Sequence, residues 1–367
     1  MKLKRVLKWT AGAIAFALSV AALTAYWTST NDCDSRHAAT PRNPMKAVVY
    51  CDYGAPEVLA VEDIEKPVPN DDQLLVRVRA AAVNPLDWHF MRGTPYIGRL
   101  GMGLRKPEVT RLGVDYAGTV EAVGRNVTQF KPGDEVFGGR TGAFAQYVTV
   151  RADRAVVLKP ANLTFEQAAA VPVAAITALQ GIRDKGHLRT GQRVLINGAS
   201  GGVGTFAVQI AKAFGAHVTG VCSTRNVELV RSIGADDVVD YTREDFTRGA
   251  RRYDLIVDNV GNHSLSDLKR VLEPNGTYVM VGGPAGRWID PLPRALSLLV
   301  ASRFGSQEMR MFLAELNQKD LTVLRDLLAA GKVTPVIDRR YPLSEAREAV
   351  RYLETGRARG KVVITMD

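Results

Sequence analysis

The feature that most constrains the fold is a glycine-rich turn joining an apolar stretch to an amphipathic one. The turn reads NGASGGVG at 197–204 and follows the apolar run RVLIN at 193–197. After it, apolar residues between Val203 and Phe214 recur with helical spacing and mark one buried face. Glycines let backbone N–H groups approach a pyrophosphate, and the start of a helix adds partial positive charge. The pattern predicts a strand–turn–helix unit that binds a dinucleotide.

The stretches around this turn predict two kinds of domain. Further apolar runs at 217–222, 237–240, 253–258 and 277–281 alternate with helical segments, which is typical of a doubly wound parallel sheet with right-handed crossovers. Upstream, short strands separated by Gly, Pro and Asp turns predict a small distorted β-barrel. The expected units are a leader at 1–44, a β-domain at 45–168, a dinucleotide-binding domain at 169–310 and a carboxyl-terminal segment at 311–367.

Composition excludes several other classes of protein. The 367 residues are 46% apolar and 23% charged, an ordinary globular mixture rather than a disordered, collagenous or coiled-coil one. The net charge of +10 is spread along the chain without a nucleic-acid motif, so we expect a solvated basic surface and no nucleic-acid partner. Cys33, Cys51 and Cys222 are too few for a disulfide scaffold and lack metal-ligand spacing, which points to a reducing compartment.

The amino-terminal segment combines four basic residues before position 9 with an uncharged run at 9–27. We favour a single-pass membrane anchor, a transmembrane hydrophobic helix at 9–27, followed by a polar linker at 31–44. One alternative is a secretory signal cleaved near Ser19-Val20-Ala21. Another is translation from Met45, where MKAVVY has the character of a natural start, and the enzyme would then be cytoplasmic.

The end of the second strand of the α/β unit bears on cofactor choice. An Asp or Glu at that point would bind the ribose 2′-hydroxyl of NAD. This chain has Ser223, Thr224 and Arg225 instead, so no carboxylate repels a 2′-phosphate and a guanidinium can pair with one. The sequence therefore predicts NADPH (NADP+) as the cofactor, although Arg225 could also be an ordinary exposed residue.

Four blocks of sequence together resemble one family. They are AAVNPLDW (81–88), GVDYAGTVEAVGRNVTQFKPGDEVFG (113–138), NGASGGVGTFAVQIAKAFGA (197–216) and GKVTPVIDRRYPLSEAREAVRYLETGRARGKVVI (331–364). From Met45 onward the chain resembles the zinc-independent, quinone oxidoreductase-like branch of the medium-chain dehydrogenase/reductase family. The resemblance implies a GroES-like catalytic domain completed by the carboxyl-terminal tail, a Rossmann domain between them, and commonly a homodimer.

The same resemblance implies an activity and argues against zinc. Asn84 stands where the zinc-dependent branch has a Cys ligand, and Gly113-Val114-Asp115 stands where that branch has Gly-His-Glu. We therefore expect no metal and NADPH-dependent hydride transfer to quinones or α,β-unsaturated carbonyls, whose products delocalise the incoming charge. The alternative is a redox-sensing or structural protein that binds NADPH with little turnover.

Site residues follow from the resemblance. Asn84, Tyr53 and His89 are the expected catalytic residues, although a turn residue, ordinary packing and a partly buried histidine would explain them equally well. The expected cofactor-binding residues are Asn84, Thr177, Gly198, Ser200, Gly201, Gly202, Val203, Gly204, Ser223, Arg225, Tyr241, Asn259, Val260 and Gly282.

Overall fold

The computed structural model describes residues 24, 31–33, 40–283, 286, 288–289, 292–303 and 305–366. Its strands are β1 (Pro44–Val49), β2 (Ala60–Glu65), β3 (Gln73–Val83), β4 (Asp115–Val123), β5 (Glu135–Gly139), β6 (Tyr147–Arg151), β7 (Val156–Leu158), β8 (Arg193–Asn197), β9 (His217–Cys222), β10 (Asp237–Asp240), β11 (Tyr253–Asp258), β12 (Leu272–Met280), β13 (Glu308–Met311), β14 (Ile337–Pro342) and β15 (Lys361–Thr365). Its α-helices are α1 (Pro85–Arg92), α2 (Arg99–Met102), α3 (Phe165–Ala169), α4 (Pro172–Gln180), α5 (Gly202–Ala213), α6 (Val227–Ser232), α7 (Leu265–Val271), α8 (Leu292–Ala301), α9 (Gln318–Ala329) and α10 (Ala346–Glu354).

Strand β3 organises the first domain. It pairs antiparallel with β4 on one edge, and with β6 and then β15 on the other. Val76 and Val78 are buried while Arg77 and Arg79 are exposed, so along this stretch one face of β3 packs inward and the other faces solvent. Because β14 pairs with β15, the carboxyl-terminal segment completes a seven-stranded sheet built mostly from the first part of the chain.

The second domain is a six-stranded parallel sheet in the order β10-β9-β8-β11-β12-β13. Strands β8 to β11 lie where the sequence pattern predicts them, and β12 begins earlier, at Leu272. The pattern misses β13 because EMRM is a short edge strand without an apolar run. Helix α5 buries Phe206, Ala207, Ile210 and Ala211 completely, as its periodicity predicts.

The two domains share their largest hydrophobic core. One continuous cluster contains Ala117 and Phe137 from the first sheet together with Val194 and Val257 from the second. Helix α4 lies within this cluster, and α9 packs its Leu321, Leu324 and Leu328 into it. The carboxyl-terminal segment therefore supports the junction between the domains before it joins the first sheet.

Residues Asn31 to Cys33 are attached to the first domain. Cys33 forms a disulfide with Cys51, and the Asn31 amide donates to the Cys51 carbonyl over 2.7 Å. The Thr110 hydroxyl donates to an Asp32 carboxylate oxygen over 2.6 Å. The inference of a reducing compartment is therefore not supported, because it rested on unpaired cysteines. The first three residues of the predicted linker, 31–33, are therefore bound to the first domain.

The predicted membrane localisation needs correction. In the parts of the chain that the structure describes, no helix is long and apolar enough to cross a membrane. The hydrophobic helix predicted at 9–27 lies outside the described residues, Thr24 apart. The described part of the structure therefore gives no support for the predicted membrane association.

Cysteine labelling tests the disulfide. Cys222 is a buried free thiol, and the other two cysteines are joined. Without reductant, an alkylating reagent should label none of the three cysteines in the folded protein and one after denaturation. Reduction before alkylation should give three labels by mass spectrometry of the intact chain. More than one label on denatured, unreduced protein would contradict the disulfide.

Candidate active site

A cleft of about 960 Å³ opens between the two domains. The glycine-rich turn and the carboxyl ends of β8, β9 and β11 form one wall. The start of α1 and residues 356–361, which lead into β15, form the opposite wall. A ligand in this cleft would contact both domains, and cofactors commonly bind in this position at parallel strand ends.

The glycine turn has the shape that a dinucleotide requires. Gly198 has a φ of +77°, which favours glycine, and a Cβ on Gly204 would lie 2.1 Å from the Gly198 carbonyl oxygen. Ser200 and the first residues of α5 line the cleft. The backbone N–H groups in the first turn of a helix have no partner within the helix, so they can donate to an anion here. This cradle fits a pyrophosphate, and every residue predicted in the turn lines the cleft.

Behind the cleft lies a buried polar network centred on Lys361. Its ammonium donates to the Asn84 Oδ1 over 2.5 Å and to the Val83 carbonyl over 3.3 Å, and it pairs with Asp115 Oδ2 at 3.3 Å. The Asn84 amide in turn donates to Asp115 Oδ2 over 2.9 Å and to the Ala82 carbonyl over 3.3 Å. Lys361, Asn84 and Asp115 are each at most 3% exposed. Both amide hydrogens of Asn84 are therefore engaged within the protein.

Two buried carboxyl groups hold this part of the site. Burial raises the pKa of Asp115, and Lys361 acts in the opposite direction. Burial also raises the pKa of Asp87, to about 7. The Asp87 oxygens accept the backbone N–H groups of Asn84 and Gly113 over 2.7 and 3.0 Å. Asp87 therefore fixes the start of α1 against the loop before β4.

The charge of the cleft is one-sided. Among the described residues that line it there is no Asp or Glu, whereas Arg225, Arg357 and Lys361 are cationic. The guanidinium of Arg225 donates to the Arg357 carbonyl over 2.9 Å, so side chain and backbone meet across the two domains. Ser223 and Tyr241 line the same end of the cleft. An anionic ligand would therefore meet favourable charge from Arg225 and Arg357 at this end of the cleft.

At the end of the cleft away from Arg225, the buried carboxylate of Asp258 fixes the loop that follows β11. Asp258 Oδ1 accepts the Asn197 amide over 2.8 Å and the backbone N–H groups of Val260 and Gly261 over 3.0 and 2.9 Å. The Asn259 amide donates to the Asn197 carbonyl over 2.9 Å. These bonds place Asn259 and Val260 on the cleft wall, where the sequence predicts them.

Four predicted site residues do not line the cleft. The hydroxyl of Tyr53 is 2.7 Å from the carbonyl oxygens of Met102 and Gly103, and burial raises its pKa to about 12. Nδ1 of His89 is 2.8 Å from the Thr94 carbonyl, and burial lowers its pKa.

The other two have local structural roles. The Thr177 hydroxyl donates to the Val173 carbonyl within its own helix over 2.6 Å. Gly282 leaves room for the Asn259 carbonyl, which would lie 2.4 Å from an added Cβ.

Sequence analysis missed several residues that line the cleft. These are Asn197, Asn226, Asn262, His263, Arg357 and Lys361. Asn197 and Asn226 adjoin predicted site residues and could have been included on that ground. Arg357 and Lys361 lie far along the chain from the glycine turn, and only the return of the carboxyl-terminal segment brings them close.

The residues that stand where the zinc-dependent branch has its zinc ligands do not fit that metal. Asn84 presents a carboxamide, Val114 has no ligand atom, and Asp115 is occupied by Lys361, Asn84 and the Val173 N–H. Within the described residues, no group of three or more His, Cys, Asp or Glu could hold a metal ion. No step of the reaction is therefore assigned to zinc.

A β-domain and a parallel α/β domain around a glycine-lined cationic cleft define a dinucleotide-dependent oxidoreductase. Residues 70–161 match the family model described as "Alcohol dehydrogenase GroES-like domain", and residues 233–364 match "Zinc-binding dehydrogenase". The chain belongs to the quinone oxidoreductase-like branch of the medium-chain dehydrogenase/reductase family.

Relatives and a solved structure agree with this assignment. The human protein named "NAD(P)H oxidoreductase RTN4IP1, mitochondrial" is 36% identical over 89% of this chain and 91% of its own length. The Arabidopsis thaliana "NADPH-dependent alkenal/one oxidoreductase, chloroplastic" is 34% identical over 89% and 81%. The quinone oxidoreductase of Coxiella burnetii superposes with a TM-score of 0.77 at 30% identity, covering 89% of this chain and all of that one. The predicted membrane localisation is contradicted: the human relative is named as mitochondrial, and no described helix of this chain could span a membrane.

The Lys361 network gives a stability prediction. Lys361→Met should lower the free energy of unfolding by about 3–5 kcal/mol, because it leaves the buried Asp115 carboxylate without its cation. Lys46→Met is the matched control, since Lys46 and Asp63 form a pair that is more than half exposed, and it should cost at most about 1 kcal/mol. Urea unfolding of both variants measures the difference. Equal stabilities would show that the buried pair is not needed.

Proposed function

We propose that this oxidoreductase uses NADPH to reduce quinones or α,β-unsaturated carbonyl compounds. The observation that carries the proposal is the charge of the cleft. It combines a glycine cradle for a pyrophosphate with the exposed guanidinium groups of Arg225 and Arg357 and, among the described residues, no lining carboxylate. A carboxylate at the ribose is the feature by which NAD sites bind the 2′-hydroxyl, and it would repel a 2′-phosphate.

The cationic end of the cleft favours the phosphorylated cofactor. Arg225 follows β9, beside Ser223 and opposite Arg357, so a 2′-phosphate there would meet hydroxyl and guanidinium donors. The nearest strand-end carboxylate, Asp240, accepts a hydrogen bond from the Thr224 hydroxyl over 2.6 Å. That bond is the main cause of the lowered pKa of Asp240, and Asp240 itself is not among the residues that line the cleft.

Two considerations indicate which compounds accept the hydride: the chemistry of hydride transfer and the names of the relatives. Bound NADPH would supply a hydride, and a proton from solvent would complete reduction to a hydroquinone or a saturated carbonyl compound. Both acceptors spread the incoming charge over a conjugated system, which suits a site without a fitting metal position. The chain's own residues bind and orient the reactants, with Asn84 fixed at the head of α1 by Lys361 and Asp115. The names of the relatives, quinone and alkenal/one reductases, support this substrate class.

Steady-state oxidation of NADPH with a panel of quinones, enones and simple ketones tests the activity. Quinones or enones should support turnover and simple ketones should not, and exhaustive chelation should leave the rate unchanged. Tight NADPH binding without turnover on any acceptor would instead favour the low-turnover binding protein. Loss of activity that only zinc restores would contradict a metal-independent reaction.

Arg225 tests the cofactor preference. Arg225→Glu should raise the KM for NADPH by about 10- to 100-fold, because it replaces a phosphate partner with a like charge. The KM for NADH should change little. Arg231→Glu is the matched control, since Arg231 pairs with Glu228 on exposed α6 and does not line the cleft. An equal loss for both cofactors would contradict the assignment of Arg225 to the 2′-phosphate.

A further inference from the structure

Asn226 joins the two parts of the cofactor site. Its side-chain amide donates to the Ser200 hydroxyl oxygen over 3.0 Å and to the Ser223 hydroxyl oxygen over 3.2 Å. Ser200 belongs to the glycine turn, and Ser223 follows β9. Asn226 lines the cleft but is only 5% exposed. One buried carboxamide therefore contacts both serines.

These bonds fix the direction in which each serine hydroxyl can donate. A serine hydroxyl has one hydrogen and two lone pairs. Because each oxygen receives a hydrogen from Asn226, its own hydrogen must point elsewhere. Ser200 and Ser223 both line the cleft, so each can donate to a ligand there. Phosphate oxygens only accept, and donors held ready for them bind without the cost of reorientation.

Asn226 is itself held in one place. Its backbone N–H donates to the Ser223 carbonyl over 2.8 Å, and the Ser200 carbonyl accepts the Gly360 N–H over 2.9 Å. Its Oδ1 is buried and has no hydrogen-bond partner among the described residues. If the Nδ2 and Oδ1 atoms of Asn226 exchanged places, the two N–H groups would lose the serine oxygens as acceptors. Both serine hydroxyls would then donate to Oδ1 instead of to a ligand in the cleft. The observed orientation is the one that suits an anion.

We infer that Asn226 is a positioning residue that sets the serine hydroxyls as donors, Ser200 to the pyrophosphate and Ser223 to the 2′-phosphate of the cofactor. The inference rests on the proposed use of NADPH for its Ser223 half. Its Ser200 half applies to any dinucleotide, because the pyrophosphate is common to NADP+ and NAD+.

Asn226→Asp is the sharpest test. A carboxylate can only accept, so the serines turn to donate to it and present lone pairs to the cofactor. Asp has the shape of Asn, and the Asn226 side chain does not cap α6, so the variant loses no helix cap and is expected to fold. By calorimetry on the full chain, NADP+ affinity should fall by about 30-fold or more and NAD+ affinity by about 3- to 10-fold. Asn162→Asp, the same change on an exposed side chain outside the cleft, should alter neither.

Serine variants separate positioning from a general structural effect. Ser223→Ala should weaken NADP+ binding in the wild-type background and add less than about twofold in the Asn226→Asp background, because the donor is already lost. Ser200→Ala should behave likewise with NAD+. Asn226→Ala, which frees the hydroxyls without reversing them, should give a smaller loss than Asn226→Asp and serves as the second variant if the aspartate fails to fold. Independent, additive effects of Asn226 and the serines would overturn the inference.

The two proposals fail in different ways. A wild-type chain that prefers NAD+ would overturn the proposed cofactor, while the Ser200 cycle with NAD+ would still decide the role of Asn226. Unchanged NADP+ and NAD+ affinities in Asn226→Asp would overturn the positioning role and leave the NADPH preference, tested through Arg225, intact.

Discussion

The buried Lys361–Asn84–Asp115 network is the interaction on which the geometry of the site depends. Lys361 begins the last strand, Asn84 directly precedes α1, and Asp115 begins β4, so three separate segments meet at one ammonium group. Next to it, the Gly360 N–H binds the Ser200 carbonyl in the glycine turn of the other domain. A buried cation with three oxygen partners tolerates little movement, because each lost contact leaves an uncompensated charge or polar group. The cleft wall is therefore set by electrostatics as well as by packing.

The shared core gives this arrangement its rigidity. Helix α4 and the leucines of α9 pack into a cluster that spans both sheets, so the domains are joined by apolar contact behind the cleft. In front, the glycine turn and polar side chains such as Ser200, Ser223 and Asn226 face the opening, together with a few apolar residues such as Val203 and Val260. The close-packed apolar contacts therefore lie behind the cleft, where they hold the two domains together. The hydrogen-bonding groups lie at the opening, where an anionic cofactor is expected to bind.

Several residues expected to be catalytic or cofactor-binding also have structural partners within the protein. Tyr53 and His89 are bound to backbone carbonyls of the 94–103 loop, and Thr177 to its own helix. Each side chain has the chemistry that a reductase could use, yet each satisfies a nearby backbone group. Asn84 does line the cleft, but both of its amide hydrogens bind protein oxygens, so it shapes the site more than it donates to an acceptor. The assignment of these catalytic roles stays a prediction.

The sequence by itself determined the parts of this protein that depend on short-range pattern. The spacing of apolar residues placed β8 to β11 and the buried face of α5, and the glycines of the turn required a close-approach loop before that helix. The residues after β9 also indicated an anionic partner. Only the tertiary structure brought Arg357 and Lys361 to the cleft and paired Cys33 with Cys51. It also directed the amide of Asn226 to two serines. Apart from the contact between Asn226 and Ser223, these contacts join residues distant in the chain. Their geometry follows from strand pairing and core packing, which no local pattern encodes.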